Sequence, residues 1–229
     1  MMISICIPTY EMGGKGHTFL EHSFSLLNAQ TFKNFDVVVS DHSTGEDIKS
    51  VCDKYRLFFP ISYYKNPSSR GSSSANINYA MNKAQGDIIK ILFQDDYLCD
   101  ANALDLIHQK FEDNKVDWVV NGTVHTSDNT HFYNPIIPRY NSLIHLGNNT
   151  ISSPSVLAMR NKDINYFDEK LIWLMDVEYY KRLYDKYGLP VVIDRILVVN
   201  RIWEGQVSHT KIDSELINQE EKYIKEKHS

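Results

Sequence analysis

Between residues 1 and 97 the chain alternates short apolar runs with segments whose apolar residues recur every third or fourth position. That alternation limits the fold to few choices, because the first pattern reads as a buried strand and the second as an amphipathic helix. Ile3 to Ile7 is a short strand ending at Pro8, and Phe19, Leu20, Ser23, Phe24 and Leu27 form the helical stripe that follows. Asp36 to Ser40 (DVVVS) is β-branched enough for a strand buried on both faces. Ser43 or Thr44 is placed to cap a helix running through Glu46 to Tyr55. Ile61 to Tyr64 gives a third strand, Ser74 to Ala84 a helix stopped by Gly86, and Ile88 to Phe93 a fourth strand. Strand and helix in turn, with short connections, predict an α/β fold: one Rossmann-like, mostly parallel sheet flanked by helices.

In such sheets ligands gather beyond the C-terminal ends of the strands. The candidates there are Pro8-Thr9-Tyr10, Asp41-His42-Ser43 and Gln94-Asp95-Asp96-Tyr97, all polar patches. Past residue 97 the pattern changes. Ala101 to Asn114 reads as a helix, Trp118 to Val120 as a strand, and Thr123 to Asn149 as a polar, aromatic segment without clear period. Thr150 to Met159 gives a strand, Leu174 to Tyr187 a helix ended by Gly188, and Val191 to Val199 a last strand. The tail from Lys211 to Ser229 is charged and helical, with a thin seam of Ile212, Leu216 and Tyr223. It reads as a solvated helix, with a homodimer contact or attachment to a membrane-bound partner as the other uses open to it.

The 24 Lys and Arg against 29 Asp and Glu, a net charge of −5, exclude a protein whose main partner is nucleic acid or an anionic membrane surface. No run approaches the roughly 20 apolar residues of a transmembrane segment. The N-terminus MMISICIPTYE lacks the basic region of a signal peptide. Cys6, Cys52 and Cys99 are odd in number and far apart, which fits free thiols in a cytoplasmic protein better than a disulfide framework. The nine histidines show no HExxH or HxxxH spacing, so no zinc site is expected.

Two features can carry chemistry. Asp95 and Asp96 directly follow a buried strand, where adjacent carboxylates repel and a hard divalent cation, Mg²⁺ or Mn²⁺, would relieve them. The alternative is that one of them caps the helix beginning near Asp100 or faces water. Asp176 lies in the first turn of a helix beside Trp173, where the helix dipole keeps a carboxylate ionised and fit to act as a general base. Glu178, about 200° away around the helix, cannot share its pocket. The alternative for Asp176 is a side chain placed only to favour the helix. The loop Gly13-Gly14-Lys15-Gly16 lacks the spacing of a Walker A motif. Asn66 to Asn78 supplies Arg70, Ser and Asn donors near the ligand edge, or turn residues.

Taken in order, several patches resemble the inverting glycosyltransferases of family 2, which have the GT-A fold. SICIPTY is similar to the family's opening strand and nucleotide-contacting turn, and VVVSDHS to its second strand. GSSSANINYAMNKAQGDIIKILFQDDYL resembles the signature that ends in the metal-binding acids. WLMDVEYYKRL resembles the base-bearing helix and RIWEGQVSH the closing segment. The resemblance runs from Ile3 to about His209. It implies a single GT-A domain over residues 1–229: a nucleotide-binding half (1–97), a smaller acceptor-binding half (98–209) and a helical tail (210–229).

The same resemblance implies a metal-assisted single displacement that moves a sugar from a nucleotide-diphospho-sugar, a UDP-sugar in the first instance, to a hydroxyl of a glycan or lipid-linked acceptor. Asp176 would be the base and Asp96 the ligand of Mn²⁺ or Mg²⁺. Asp95, Pro8, Thr9, Tyr10, Asp41, Arg70 and Asn76 would hold the donor, and Trp173 and Tyr180 the acceptor. Gln94 stands where many members carry an acid, and Trp203 where many carry a His, which makes His209 the substitute third ligand. A lipid-linked acceptor would place a cytoplasmic enzyme at the membrane periphery. A sugar nucleotidyltransferase of related fold and a non-catalytic sugar-binding homologue are the alternatives.

Overall fold

The computed structural model describes residues 1–210 and 212–228, with the side chains of Ser208 and His209 also outside the description. Four strands, β1 (Ile3–Thr9), β2 (Phe35–Asp41), β3 (Ile61–Lys65) and β4 (Ile88–Ile91), lie parallel in the spatial order β3-β2-β1-β4. Every residue of β1 and β4 is buried, as expected of strands covered on both faces. Helices α1 (Gly16–Asn28), α2 (Asp47–Tyr55) and α3 (Ser73–Lys83) make the crossovers. Phe24 of α1 meets Tyr55 of α2 edge-on at 5.4 Å and Phe59 at 5.5 Å, so the periodic stripe read from sequence is the seam between those helices. Truncating Phe24 to Ala would cost about 3–5 kcal/mol.

The second half continues the same sheet. It contains β5 (Tyr97–Leu98), α4 (Ala103–Phe111), β6 (Trp118–Thr126), β7 (Phe132–Ile136), β8 (Leu157–Arg160), α5 (Met175–Tyr187), β9 (Val191–Arg201), α6 (Val207–Thr210) and α7 (Ser214–Lys227). Strand β8 enters antiparallel beside β4, and the order continues β8-β6-β9-β5, with β6 and β9 parallel and β7 on the edge of β6. Reversal at β8 turns the loops before it, residues 149–156, toward the C-terminal ends of β1, β2 and β4. This brings the two halves' functional segments to one edge.

Several expectations are corrected. Ser43 and Thr44 do not cap α2: Ser43 bonds Asp41, Thr44 bonds Glu11, and the residue before the helix, Glu46, makes no side-chain cap. The segment from Thr123 to Asn149 contains the end of β6 and all of β7. It shows no period in sequence because Phe132 to Pro135 are exposed on both faces and Pro135 sits in an edge strand. In place of a strand from Thr150, a 3-10 turn at Pro154–Val156 precedes a short β8. The tail helix exists, but its buried residues are Glu220 and Ile224. Cys6 and Cys52 are buried and Cys99 is exposed, all three as free thiols.

Candidate active site

Thr9 and Asp41 end adjacent parallel strands in direct register. Asp41 is fully buried, and its oxygens accept from Thr9 Oγ1 (3.1 Å), Ser43 N (2.9 Å), Ser43 Oγ (2.6 Å), Tyr63 OH (2.7 Å) and Lys65 Nζ (3.4 Å). Charge-assisted bonds of this kind offset the cost of taking a carboxylate out of water. Asn76 Nδ2 donates to the Thr9 carbonyl at 3.0 Å while its Oδ1 accepts from Ser40 Oγ at 2.6 Å, which ties α3 to β1 and β2. Thr9 and Asn76 are therefore spent on the protein itself and, with buried Pro8, build the floor rather than grasp a nucleotide. Tyr10 and Arg70 reach the surface. Arg70 Nη2 donates to the Ser43 carbonyl at 3.2 Å, and burial with the nearby Asp95 charge raises the Tyr10 phenol.

The acidic pair follows β4. Gln94 takes the place of a further acid for a local reason: its Oε1 accepts from Tyr10 N at 2.9 Å and latches the β1 turn to the β4 turn. Gly16 permits this closeness, since a Cβ there would lie 2.3 Å from the Tyr10 carbonyl. Asp96 is buried and engaged on both oxygens, by Asn200 Nδ2 at 2.7 Å, Ser153 Oγ at 3.2 Å and Arg201 N at 3.2 Å. Asp95 is more open; its Oδ2 accepts from Trp203 Nε1 at 3.1 Å. Burial raises the pKa of both acids, and the Asp95 charge raises Asp96 further. Below them the fully buried Lys90 donates to the Ser155 carbonyl, with its pKa pushed down to about 7 by burial.

Asp176 is partly buried in the first turn of α5. Asn149 Nδ2 donates to its Oδ2 at 2.8 Å and to the Ser152 carbonyl at 3.1 Å. Ser153 then reaches Asp96, so residues 149–153 span the space between the acidic pair and the helix carboxylate. Ser152 holds φ at 114°, a strained value for a residue with a Cβ, inside this span. Tyr180, expected at the acceptor, is instead fully buried. Its OH donates to the carbonyls of Ser152 (3.1 Å) and Ser153 (3.0 Å), and its ring stacks on Trp118. It supports the span from beneath and cannot touch a substrate. Trp173 is 40% exposed, three residues ahead of Asp176.

Sequence reasoning missed Asn149, Ser153, Asn200 and Arg201. Arg201 is buried against the rings of Phe19 (4.5 Å) and Tyr97 (5.4 Å), and its Nε donates to the Asp95 carbonyl at 3.2 Å. An Arg closing an apolar strand was the available signal. The His209 side chain lies outside the described residues.

The family model described as "Glycosyl transferase family 2" matches residues 4–173. The chain belongs to glycosyl transferase family 2. Among curated relatives, a GalNAc(5)-diNAcBac-PP-undecaprenol beta-1,3-glucosyltransferase of Campylobacter jejuni is 28% identical over 109 residues, 47% of this chain and 34% of that protein. Among solved structures, S. aureus TarS 1-349 in complex with UDP-GlcNAc superposes with a TM-score of 0.73 at 18% identity, covering 98% of this chain and 65% of that 1-349 chain. A mannosyltransferase of Pyrobaculum calidifontis, solved with GDP-Man and Mn2+, gives 0.66 at 13% identity, over 88% of this chain and 57% of that one. The family 2 chain thus spans about a third of the curated relative and under two thirds of these solved chains. These likenesses establish the GT-A fold, with its curled α/β sheet flanked by helices.

A divalent cation fits the donor set of this family 2 site. Two adjacent carboxylates held in a buried setting carry charge that a dication would balance, and their oxygens suit hard ions. Among the described residues no group of three or more His, Cys, Asp or Glu could hold a metal. Among the described residues the protein side of such a site is the acidic pair, and substrate oxygens or water would add to it. No described helix is long and apolar enough to cross a membrane.

Proposed function

We propose that this family 2 enzyme transfers a sugar from a nucleoside-diphosphate donor to an acceptor hydroxyl with inversion, with Asp176 as the base. The observation that carries the reading is the placement of Asp176: a carboxylate joined by Asn149 and the 149–153 span to the acidic pair, at the open edge of the sheet. Its partners, Asn149 Nδ2 on Oδ2 and Val177 N on Oδ1, are both neutral, so no paired cation lowers its basicity. Burial pushes Asp176 up to about 7, a value matched to proton removal near neutrality.

Tyr10, Arg70 and the loop that Asp41 holds through Ser43 line the nucleoside end of the site. Asp95, the more open of the pair, faces the donor diphosphate, while Asp96 fixes Asn200, Ser153 and the Arg201 backbone around it. A bound Mg²⁺ or Mn²⁺ would offset the charge that develops on the departing diphosphate. The acceptor oxygen loses its proton to Asp176 and forms the new bond to the anomeric carbon as the bond to the diphosphate oxygen breaks. One base and no protein nucleophile give inversion by single displacement.

A UDP-sugar is the favoured donor because TarS has been solved with UDP and UDP-GlcNAc. A glycan or lipid-linked acceptor is supported by the undecaprenol-linked substrate named in the Campylobacter relative. Trp173 offers a ring for a sugar face. The test is a thermal-shift screen of UDP-, GDP-, dTDP- and CMP-sugars with Mn²⁺, followed by nucleoside diphosphate release from the best donor. Release of inorganic diphosphate from a nucleoside triphosphate instead would refute the reading.

A further inference from the structure

Helix α7 reaches back to the segment that carries the base. Its exposed residues are all polar or charged, yet Glu220 is only 3% exposed. Its carboxylate accepts from Ile172 N at 2.6 Å, Trp173 N at 3.0 Å and Leu174 N at 2.8 Å. These amides lead into α5, where a helix start leaves N–H groups without intrahelical partners, and Leu174 makes no side-chain cap of its own. A carboxylate there gains both the bonds and the favourable end of the helix dipole.

A second grip lies further along α7. Lys227 Nζ bridges Asp168 Oδ2 (2.6 Å) and the buried Glu178 Oε1 (2.8 Å), and Tyr223 OH donates to Asp168 Oδ2 at 2.8 Å. Ile224, fully buried, lies between Glu220 and Lys227 along the helix. The segment from 168 to 174 is thus held at both ends by α7, and Asp176 stands two residues beyond it.

We infer that Glu220 is a positioning residue for Asp176, acting through the backbone of residues 172–174, and that α7 is thereby part of the catalytic apparatus. The inference rests on the reading of Asp176 as the base. An anchor needs only apolar contacts, and burying a carboxylate for that purpose is costly. What Glu220 adds is occupancy of the amides just ahead of α5. Left free, those donors would compete for the next carboxylate along the chain, that of Asp176 in the first turn. With Glu220 in place, Asp176 faces Asn149 and the open site.

The full chain and its Glu220→Gln, Glu220→Ala and Asp176→Asn variants test this with UDP-GlcNAc and Mn²⁺, reading UDP release, UDP affinity and amide exchange. Glu220→Ala is expected to lower kcat about 100-fold with UDP affinity within about twofold, because small misplacement of a catalytic group has that effect. Glu220→Gln, which keeps the shape and one acceptor oxygen, is expected to fall between. Exchange should rise at residues 172–176 and stay unchanged in β1 and β2. Unchanged exchange at 172–174, or unchanged kcat in Glu220→Ala beside an inactive Asp176→Asn, overturns the inference. So does exchange raised throughout the sheet in both Glu220 variants, which would mark a general anchor. If the wild type binds UDP-GlcNAc but Asp176→Asn turns it over normally, the base assignment fails instead, and the exchange data alone then decide whether Glu220 holds the segment.

Discussion

The Asn149 side-chain amide donates to Asp176 Oδ2 at 2.8 Å and so aims the α5 carboxylate toward the loop that also touches the acidic pair. Asp176→Asn keeps the shape of this contact but removes the base. Transfer should fall by about 10²–10⁴-fold with donor affinity nearly unchanged, as read by single-turnover transfer and UDP calorimetry.

The pH profile should report the same group. Burial first, and the Glu220 charge from α7 in addition, raise Asp176 from 3.8 to about 7, against the Val177 and Asn149 amides; Tyr180 is the titratable neighbour on its own helix. A base must be ionised, so kcat should climb through pH 7 and fall about tenfold per unit below it. Stability runs the other way. The folded state holds a proton that the unfolded chain has lost between 3.8 and about 7, so this group's contribution declines as pH rises across that window. Glu220→Gln should move the kinetic midpoint down.

The sequence expectation put the cation on Asp96, but both Asp96 oxygens are taken by Asn200, Ser153 and the Arg201 amide, so metal dependence should reside in the more open Asp95. In the wild type, Mn²⁺ should enlarge the thermal shift given by UDP-GlcNAc, and chelation should abolish the increment. Asp95→Ala should show the metal-free shift under both conditions; an undiminished metal increment would assign the cation elsewhere.

Trp203 depends on a neighbour without a side chain. A Cβ at Gly205 would lie 2.1 Å from Trp203 Cζ3, so Gly205→Ala must displace the ring whose Nε1 bonds Asp95. The expected result is a red-shifted tryptophan emission and a changed Mn²⁺ requirement, with little change in the urea midpoint.

Asp41→Asn should act on stability before it acts on substrate. The substitution places an NH₂ group among the donors that surround this buried carboxylate, and should cost about 3 kcal/mol in urea denaturation.

The parallel half of the fold is legible in the sequence because its strands are buried on both faces, and runs such as Val37-Val38-Val39 announce that directly. Asp95, Asp96 and Asp176 are legible because carboxylates at a strand end and in a first helical turn stand out against apolar surroundings. Tyr180 is not, since a core tyrosine bonded to two carbonyls has the same local sequence as one that stacks on a sugar. Glu220 is least visible of all. In a charged helix a buried glutamate looks like its solvated neighbours, and its amide partners lie 46 to 48 residues away in the chain.

Synthesis proceeds from the N-terminus, and the Glu220 clamp therefore has a temporal consequence. The strands that shape the donor edge are complete by Ile91, long before Glu220 is added. Asn200, Arg201 and Trp203, which hold the acidic pair, also precede Glu220, so a nascent chain can assemble its nucleotide pocket while the base segment is still unclamped. Until α7 docks, such a chain would hold an activated sugar without efficiently spending it on water or on a chance hydroxyl.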